Sequence, residues 1–324
     1  MASSTLFTYG NANVDSLLAT TRSVLSQTKE YLNDAVFNKI ALLKYLNDKA
    51  LVTKQGGASI LVPILYGSNT TFRAYSGDDI LDTSGQEGIT MAQAKWKNYG
   101  GTIKFDGDEI RMNSGEGKMH DLIKAKTTQA VMSARNTLNT DLFASSQATK
   151  AVAALPVLVD ATSTVQDINS TTNSWWQAQV VASGSFAGQG LADWRNVRDL
   201  IARAGQNGAS LPDYVLTTQL ILELYEASQL PALRYASNDE ANAAFGSLKF
   251  GAAKVDFDPN TATGQAYMLS SDALEFVVHS QANWEIGDFL EPTSQDSRVA
   301  KVIWMGNLVT KNRRRLGKLT GITA

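Results

Sequence analysis

The 324-residue chain contains no cysteine and only two histidines, His120 and His279. Without cysteine there is no disulfide framework and no thiolate chemistry. A zinc site would have to be assembled from carboxylates and two histidines far apart in sequence. Both histidines therefore read as solvated or hydrogen-bonded side chains, and no metal is expected. Charge of one sign is not in excess: 29 Lys and Arg stand against 31 Asp and Glu, a formal net charge of −2. Nucleic-acid readers usually carry a basic surplus, so sequence-specific binding is not expected. No stretch approaches the roughly 18 apolar residues of a membrane span. The first residues, MASSTLFTYGNANVDSLL, lack the basic segment and apolar run of a secretory signal.

What is present describes a globular chain: 44% hydrophobic and 19% charged residues, long enough for a sizeable core. Residues 1–12 are small and polar and read as a mobile arm. Val14, Leu17, Leu18, Leu25, Leu32 and Val36 recur at helical spacing, and Asn13 can cap that helix. Phe37, Ile40, Leu43 and Leu46 continue it or form a second helix, which Gln55-Gly56-Gly57 ends. ASILVPILY (58–66) reads as a strand whose Pro63 marks an edge or bulge. Residues 67–93 are rich in glycine and polar side chains, and residues 94–112 read as the return strand. Together 58–112 predict a long two-stranded arm with a loose tip near Ser76–Gly88.

Leu122, Lys126, Ala130, Ala134, Leu138 and Leu142 form an i, i+4 stripe that predicts a helix from Met119 to about Ser145. A helix of that length is a rod of about 40 Å. Residues 146–173 read as loop, with a little strand at Leu155–Val159. Leu191, Trp194, Val197, Leu200 and Ile201 predict a helix after Gly190. DYVLTT predicts a strand, and Thr217 or Thr218 would cap a helix through QLILELYEAS. Strands are expected at Gly251–Phe257, Ala266–Leu269, Leu274–His279 and Arg298–Thr310. The mixture indicates an α+β chain.

The search for chemistry yields fragments. Ser114-Gly115-Glu116-Gly117-Lys118 hints at a phosphate loop, but Met112 and Met119 stand where glycine and Ser/Thr are required. Gly188-Gln189-Gly190 lacks the third glycine of a dinucleotide fingerprint, with Asp193 in its place. Asp256, Asp258 and Asn260 alternate as in a calcium loop, yet Thr261 and Tyr267 occupy the glycine and glutamate positions. Asp78-Asp79 and Asp108-Glu109 fall in turns, and Trp175-Trp176 reads as core or interface. Lys311, Arg313, Arg314, Arg315 and Lys318 form the one dense basic cluster. Arg313, Arg314 and Arg315 are candidate phosphate or interface contacts; a solvated or salt-bridged strand end weighs equally. No enzyme signature survives, so no catalytic, cofactor-binding or metal residue is assigned.

The informative feature is the arm. A hairpin alone in water is marginal, and its edges invite pairing with other chains. This one carries Phe72, Arg73, Tyr75, Trp96, Lys97 and Tyr99, residue types favoured at protein contacts, and all are expected to touch a neighbouring subunit. The order of elements over about 14–321, and the phrases PDYVLTTQLILELYE, FGSLKFGAAKVDFD and IWMGNLVTKNRRRLGKLTGI, resemble the major capsid protein of tailed bacteriophages, the Hong Kong 97-type fold. The resemblance implies an N-terminal arm (1–57), an extended β-hairpin loop (58–112), a peripheral domain with a spine helix (113–185), an axial domain (186–283) and return strands of the peripheral domain (284–324). It implies hexamers and pentamers closing an icosahedral shell around double-stranded DNA, held without sequence specificity, in a virion assembled in the host bacterial cytoplasm. A portal and a decoration protein are implied partners. No long extension precedes residue 14 to act as a fused scaffold, so a separate scaffold protein is expected. Some relatives cross-link a loop lysine to a distant asparagine; between Arg73 and Met91 this chain has no lysine, so no cross-link is expected. An encapsulin-type nanocompartment shell is the alternative within the same fold. An α/β enzyme with a mobile arm, or a DNA-binding protein using Arg313–Arg315, fits the sequence less well.

Overall fold

The structure, a computed structural model, describes residues 40–112, 116–204, 211–233 and 248–324. The helix expected over 14–36, its Asn13 cap and Phe37 lie outside the described residues, as do the corner at 113–115 and the His120 side chain.

In chain order, helix α1 (Ala41–Asp48) buries Leu42, Leu43, Tyr45 and Leu46. Strand β1 (Val52–Gln55) follows it. The hairpin is β2 (Ile60–Leu65) and β3 (Ile89–Ala94). Next come β4 (Lys97–Asp106), α2 (Gly107–Met112) and the long α3 (Glu116–Leu142). A single turn, α4 (Leu155–Leu158), precedes β5 (Gln179–Ala182), α5 (Leu191–Ala204), β6 (Tyr214–Thr217) and α6 (Gln219–Leu233). The rest is mainly strand: β7 (Lys249–Phe250), β8 (Ala253–Phe257), β9 (Ala266–Leu269), β10 (Leu274–His279), β11 (Glu285–Ile286), β12 (Ser297–Thr310) and β13 (Gly317–Thr320).

Two larger sheets organise these strands. In sheet I the order is β1-β10-β12-β11, and β4 also pairs with β12. The length of β12 lets it serve two partners: Ser297–Gly306 runs against β4, and Gly306–Thr310 against β10. Ala300, Val302 and Trp304 of β12 are buried while Lys301 and Ile303 are exposed, the alternation of a strand covered on one face. Sheet II runs β5-β13-β9-β6-β8-β7. Every residue of β6 and β9 is buried, because both faces of that sheet are covered. Tyr214, Leu216, Tyr267 and Leu269 face a large core shared with sheet I, α1 and α3. Val215, Ala266 and Met268 face a second core built with Trp194, Val197 and Ile201 of α5 and Ile221 and Tyr225 of α6. Each fully buried side chain of this size stabilises by about 1.5–3 kcal/mol relative to exposure. Helix α5 lies close on β13 because position 317 is glycine; a Cβ there would stand 2.4 Å from Val197 Cγ1.

Several expectations need correction. The hairpin is shorter than 58–112. Its strands pair Ile60 with Ala94 through Leu65 with Ile89, and 97–106 leaves it to pair along β12. Ile103 and Phe105 alternate into the main core, and that burial captures the segment for sheet I. Leu155–Val159 is not a strand but one helical turn, with Pro156 at its start where proline needs no hydrogen-bonded N–H. Leu274–His279, expected with the 186–283 unit, belongs to sheet I, and Gly317–Thr320, expected with 284–324, belongs to sheet II. Neither hydroxyl proposed as the α6 cap acts as one: Thr217 Oγ1 donates to the Gln265 carbonyl, and Thr218 Oγ1 is buried without a partner. Strand β1 escaped the sequence pattern because VTKQ lacks apolar alternation; it is held as a parallel partner of β10.

Candidate assembly surfaces

The hairpin divides into a covered root and an uncovered tip. On one face of the root, Ile60, Val62, Ile64, Ala92 and Ala94 pack with Trp176, Val277 and Val309. Tyr66 stacks on Trp175 with ring centroids 4.7 Å apart. Trp176 is itself buried, its Nε1 donating to the Val165 carbonyl at 3.1 Å. The arm is therefore anchored to the chain's own body at its base. The opposite face of the root shows Leu61, Leu65, Ile89 and Met91 to solvent.

Above the root the strands pinch together, Tyr66 N–H donating to the Gly88 carbonyl at 2.8 Å. A Cβ on Gly88 would stand 3.0 Å from the Gly67 carbonyl oxygen, so the two strands approach closely at this throat. Beyond it the loop is held by short polar contacts. Thr70 donates to Gln86 Oε1 from its N–H and its hydroxyl, and Asp79 accepts from the Ser76 N–H at 2.9 Å. Arg73 donates to the Ile80 carbonyl. Its apolar side chains have nothing to cover them: Phe72 is 94% exposed and Ile80 88%, with Tyr75 and Leu81 also exposed.

The six residues expected at subunit contacts thus separate. Phe72, Arg73 and Tyr75 sit on the exposed tip. Trp96, Lys97 and Tyr99 have partners within the chain. Trp96 donates to the Gly57 carbonyl at 2.9 Å and meets His279 edge-on at 5.1 Å. Lys97 Nζ donates to the Thr149 carbonyl, and Tyr99 OH donates to Asp141 at 2.6 Å. Partial burial, then Lys95 nearby, lowers the Lys97 pKa.

The basic cluster separates as well. Arg313 is a correction: it is wholly buried and unavailable to phosphate. Its guanidinium donates to the carbonyls of Val157, Leu158, Asp160 and Ser163 and to Ser170 Oγ. Burial brings its pKa down to about 10, and it stays charged at neutral pH. Arg315 pairs with Asp272, Lys311 with the buried Glu275, and Lys318 with Asp160 at 3.6 Å. Arg314 is exposed. The spacing of RRR carried no sign of this division, because burial of the first arginine depends on a loop some 150 residues earlier.

The calcium-like triplet is a turn: Asp258 is buried, accepts from the Asn260 N–H at 2.9 Å and receives Asn139 of α3 at 3.2 Å. Among the described residues no group of three or more His, Cys, Asp or Glu could hold a metal ion. A cleft of about 440 Å³ lies between α3 and β4 and is lined mostly by Gly100, Gly101, Ala130, Ala134 and polar side chains. It presents no paired acid and base. Among the described residues, no helix is long and apolar enough to cross a membrane.

No protein-family model and no curated protein matches the sequence. Solved structures do match. A chain of the cyanophage A-1(L) capsid asymmetric unit superposes with a TM-score of 0.61 at 13% identity, covering 85% of this chain and 91% of that one. The capsid of Myoviridae phage XM1 matches with a TM-score of 0.54 at 13% identity, over 86% and 91% of the two chains. The virus-like particle from Pyrococcus furiosus matches with a TM-score of 0.54 at 13% identity, over 91% and 98%. At such identities the likeness is one of fold. The architecture is that of these capsid and virus-like-particle chains. More narrowly, this chain has the α+β Hong Kong 97-type capsid fold.

Proposed function

We propose that this chain is the repeating subunit of an icosahedral phage capsid, a structural protein without catalytic role. Subunits gather as hexamers and pentamers and enclose double-stranded DNA. The single observation that carries this reading is a capsid fold over most of the chain, joined to a hairpin whose tip bears uncovered Phe72, Tyr75 and Ile80. Closing a shell needs contacts that repeat around a ring and curve, and many weak contacts add up by avidity. The tip residues Phe72, Arg73 and Tyr75 supply one such contact to an adjacent subunit. Arg314 is the member of the arginine run left to face phosphate or a neighbour. Sheet I with α3 serves as the peripheral domain and sheet II with α5 and α6 as the axial domain. A separate scaffold, a portal and a decoration protein complete the particle, which forms in the bacterial cytoplasm.

Electron microscopy of the purified recombinant chain, with and without co-expressed scaffold candidates, tests the reading. Closed shells of megadalton mass are expected. A chain that stays a small oligomer under both conditions overturns it, and a uniform shell enclosing an enzyme instead of DNA replaces it with the encapsulin-type alternative.

A further inference from the structure

Strand β4 is an edge of sheet I: among the described residues it pairs with β12 alone. In an antiparallel pair, successive residues turn their backbone groups alternately toward the partner and away from it. The Gly107 N–H donates to the Asp296 carbonyl at 2.9 Å, so the odd-numbered residues of this segment face β12 and the even-numbered ones face outward. Two outward groups are satisfied within the chain. The Asp106 N–H donates to Glu109 at 3.3 Å, and the Lys104 carbonyl accepts from Lys126 Nζ at 3.0 Å. The outward N–H and carbonyl groups of Gly100 and Thr102 have no hydrogen-bond partner among the described residues, and both residues are exposed. An open edge of this kind is a template for another strand.

The side chains leave room for one. Gly100 and Gly101 stand in mid-strand, paired with Ile303 and Val302 in a register without a bulge. A Cβ on Gly101 would meet nothing within 4 Å, and one on Gly100 only the Val302 carbonyl oxygen at 3.8 Å. Neither has the positive φ that calls for glycine. The chain's own packing therefore does not require them, and glycine inside a regular strand marks the close approach of another backbone. Across the cleft α3 presents the small side chains of Ala130, Ser133 and Ala134. The cleft follows Tyr99–Lys104 and is bounded by two ties between β4 and α3: Tyr99 OH to Asp141 at 2.6 Å, and Lys126 to the Lys104 carbonyl.

We propose that residues Thr5–Tyr9 of the same chain add to the free edge of β4 as a further strand, lying in the cleft beside α3. Residues 1–39 lie outside the described residues, and the described chain begins at Ile40, buried in the same core as Ile103, Phe105 and Val131. The preceding segment is thus tethered at the core that floors the cleft, and the chain between Tyr9 and Ile40 is ample to reach it. Within it, Thr5-Leu6-Phe7-Thr8-Tyr9 is a run of β-branched, leucine and aromatic residues ended by Gly10, whereas Val14 to Val36 recur at helical spacing. A five-residue strand matches the six residues of β4 along the cleft. The inference stands on the single chain and does not depend on the shell reading.

Amide hydrogen exchange of the full-length chain, resolved by residue, tests it. The Gly100 and Thr102 amides are expected to exchange about tenfold or more slowly in the parent than in a variant carrying Leu6→Pro and Phe7→Pro, which cannot pair as a strand. The Gly101 and Ile103 amides face β12 and are expected to stay slow in both. Should they quicken too, Thr8→Pro alone is held to the same criterion. Equal rates at Gly100 and Thr102 in parent and variant, fast or slow, overturn the added strand. Slow exchange that disappears when the parent is diluted tenfold overturns the same-chain assignment, since a second copy would then supply the segment.

Discussion

Arg315 and Asp272 pair at 2.9 Å, and through that pair the two strand crossings between the sheets are fastened to one another. Two residues away, Arg313 fastens the same strap to the loop that leads into sheet II. Three adjacent arginines thus have three fates, of which only the middle one faces solvent.

Arg313→Lys is expected to destabilise the chain by about 3 kcal/mol or more, because an ammonium cannot span the same carbonyls and leaves buried acceptors unpaired. Arg314→Lys is expected to stay within about 0.5 kcal/mol of the parent, as exposed substitutions do. Urea or thermal denaturation of the two variants reads the contrast; equal midpoints would contradict the brace.

Acid should loosen the same region. Burial raises the Asp160 pKa, but hydrogen bonds from Ser163 and Thr162, and Lys318 beside it, outweigh burial and hold the carboxyl well below the usual range. A depressed folded-state pKa means stability that is present above the unfolded value near 4 and lost as pH falls through the folded one. Melting temperature should therefore fall as pH is lowered beneath about 4, and Asp160→Asn should flatten that slope while costing stability at neutral pH. An identical acid slope in the variant would remove Asp160 from the account.

Phe72→Ala and Tyr75→Ala are expected to leave the melting temperature of the isolated subunit nearly unchanged, within about 0.5 kcal/mol, since neither side chain is packed. Assembly should suffer instead, with the critical concentration for shell formation rising about fivefold or more for each, as for truncated aromatic contacts. Light scattering against subunit concentration measures it; unchanged assembly by both variants would remove the tip from the contact.

Mature particles are expected to run as one monomer band on denaturing gels. No lysine lies between Arg73 and Met91 to reach an asparagine on another subunit. A ladder of covalent multimers would show that Lys95, Lys97 or another lysine performs the linkage.

Much of the local structure was legible in residue order. The spacing of Trp194, Val197 and Ile201 marked a helix that buries those residues, and the runs YVLT and AYML marked strands, which the structure buries on both faces. The polar, glycine-rich stretch after Tyr66 marked a loop that could not cover its own aromatics. These signals are local because a side chain's preference for burial recurs with the period of the element that carries it. Sheet membership was a different matter. Nothing near Lys97–Asp106 says that it leaves the hairpin for β12, nearly two hundred residues later. Nothing near Leu274–His279 or Gly317–Thr320 tells which sheet each joins, since strand partners are chosen by long-range register and shared core volume.

The sequence by itself determined most of the described helices and strands, the lack of thiol chemistry and the exposed character of the loop, because composition and periodicity record how much each segment can bury. Only the tertiary structure decided that Arg313 is a buried brace, that Trp96, Lys97 and Tyr99 are engaged within the chain, and that Asp213 meets Tyr45 and Lys49 between the sheets. A side chain's role follows from which distant groups the fold brings within hydrogen-bonding reach, and that distance is not written in its neighbours along the chain.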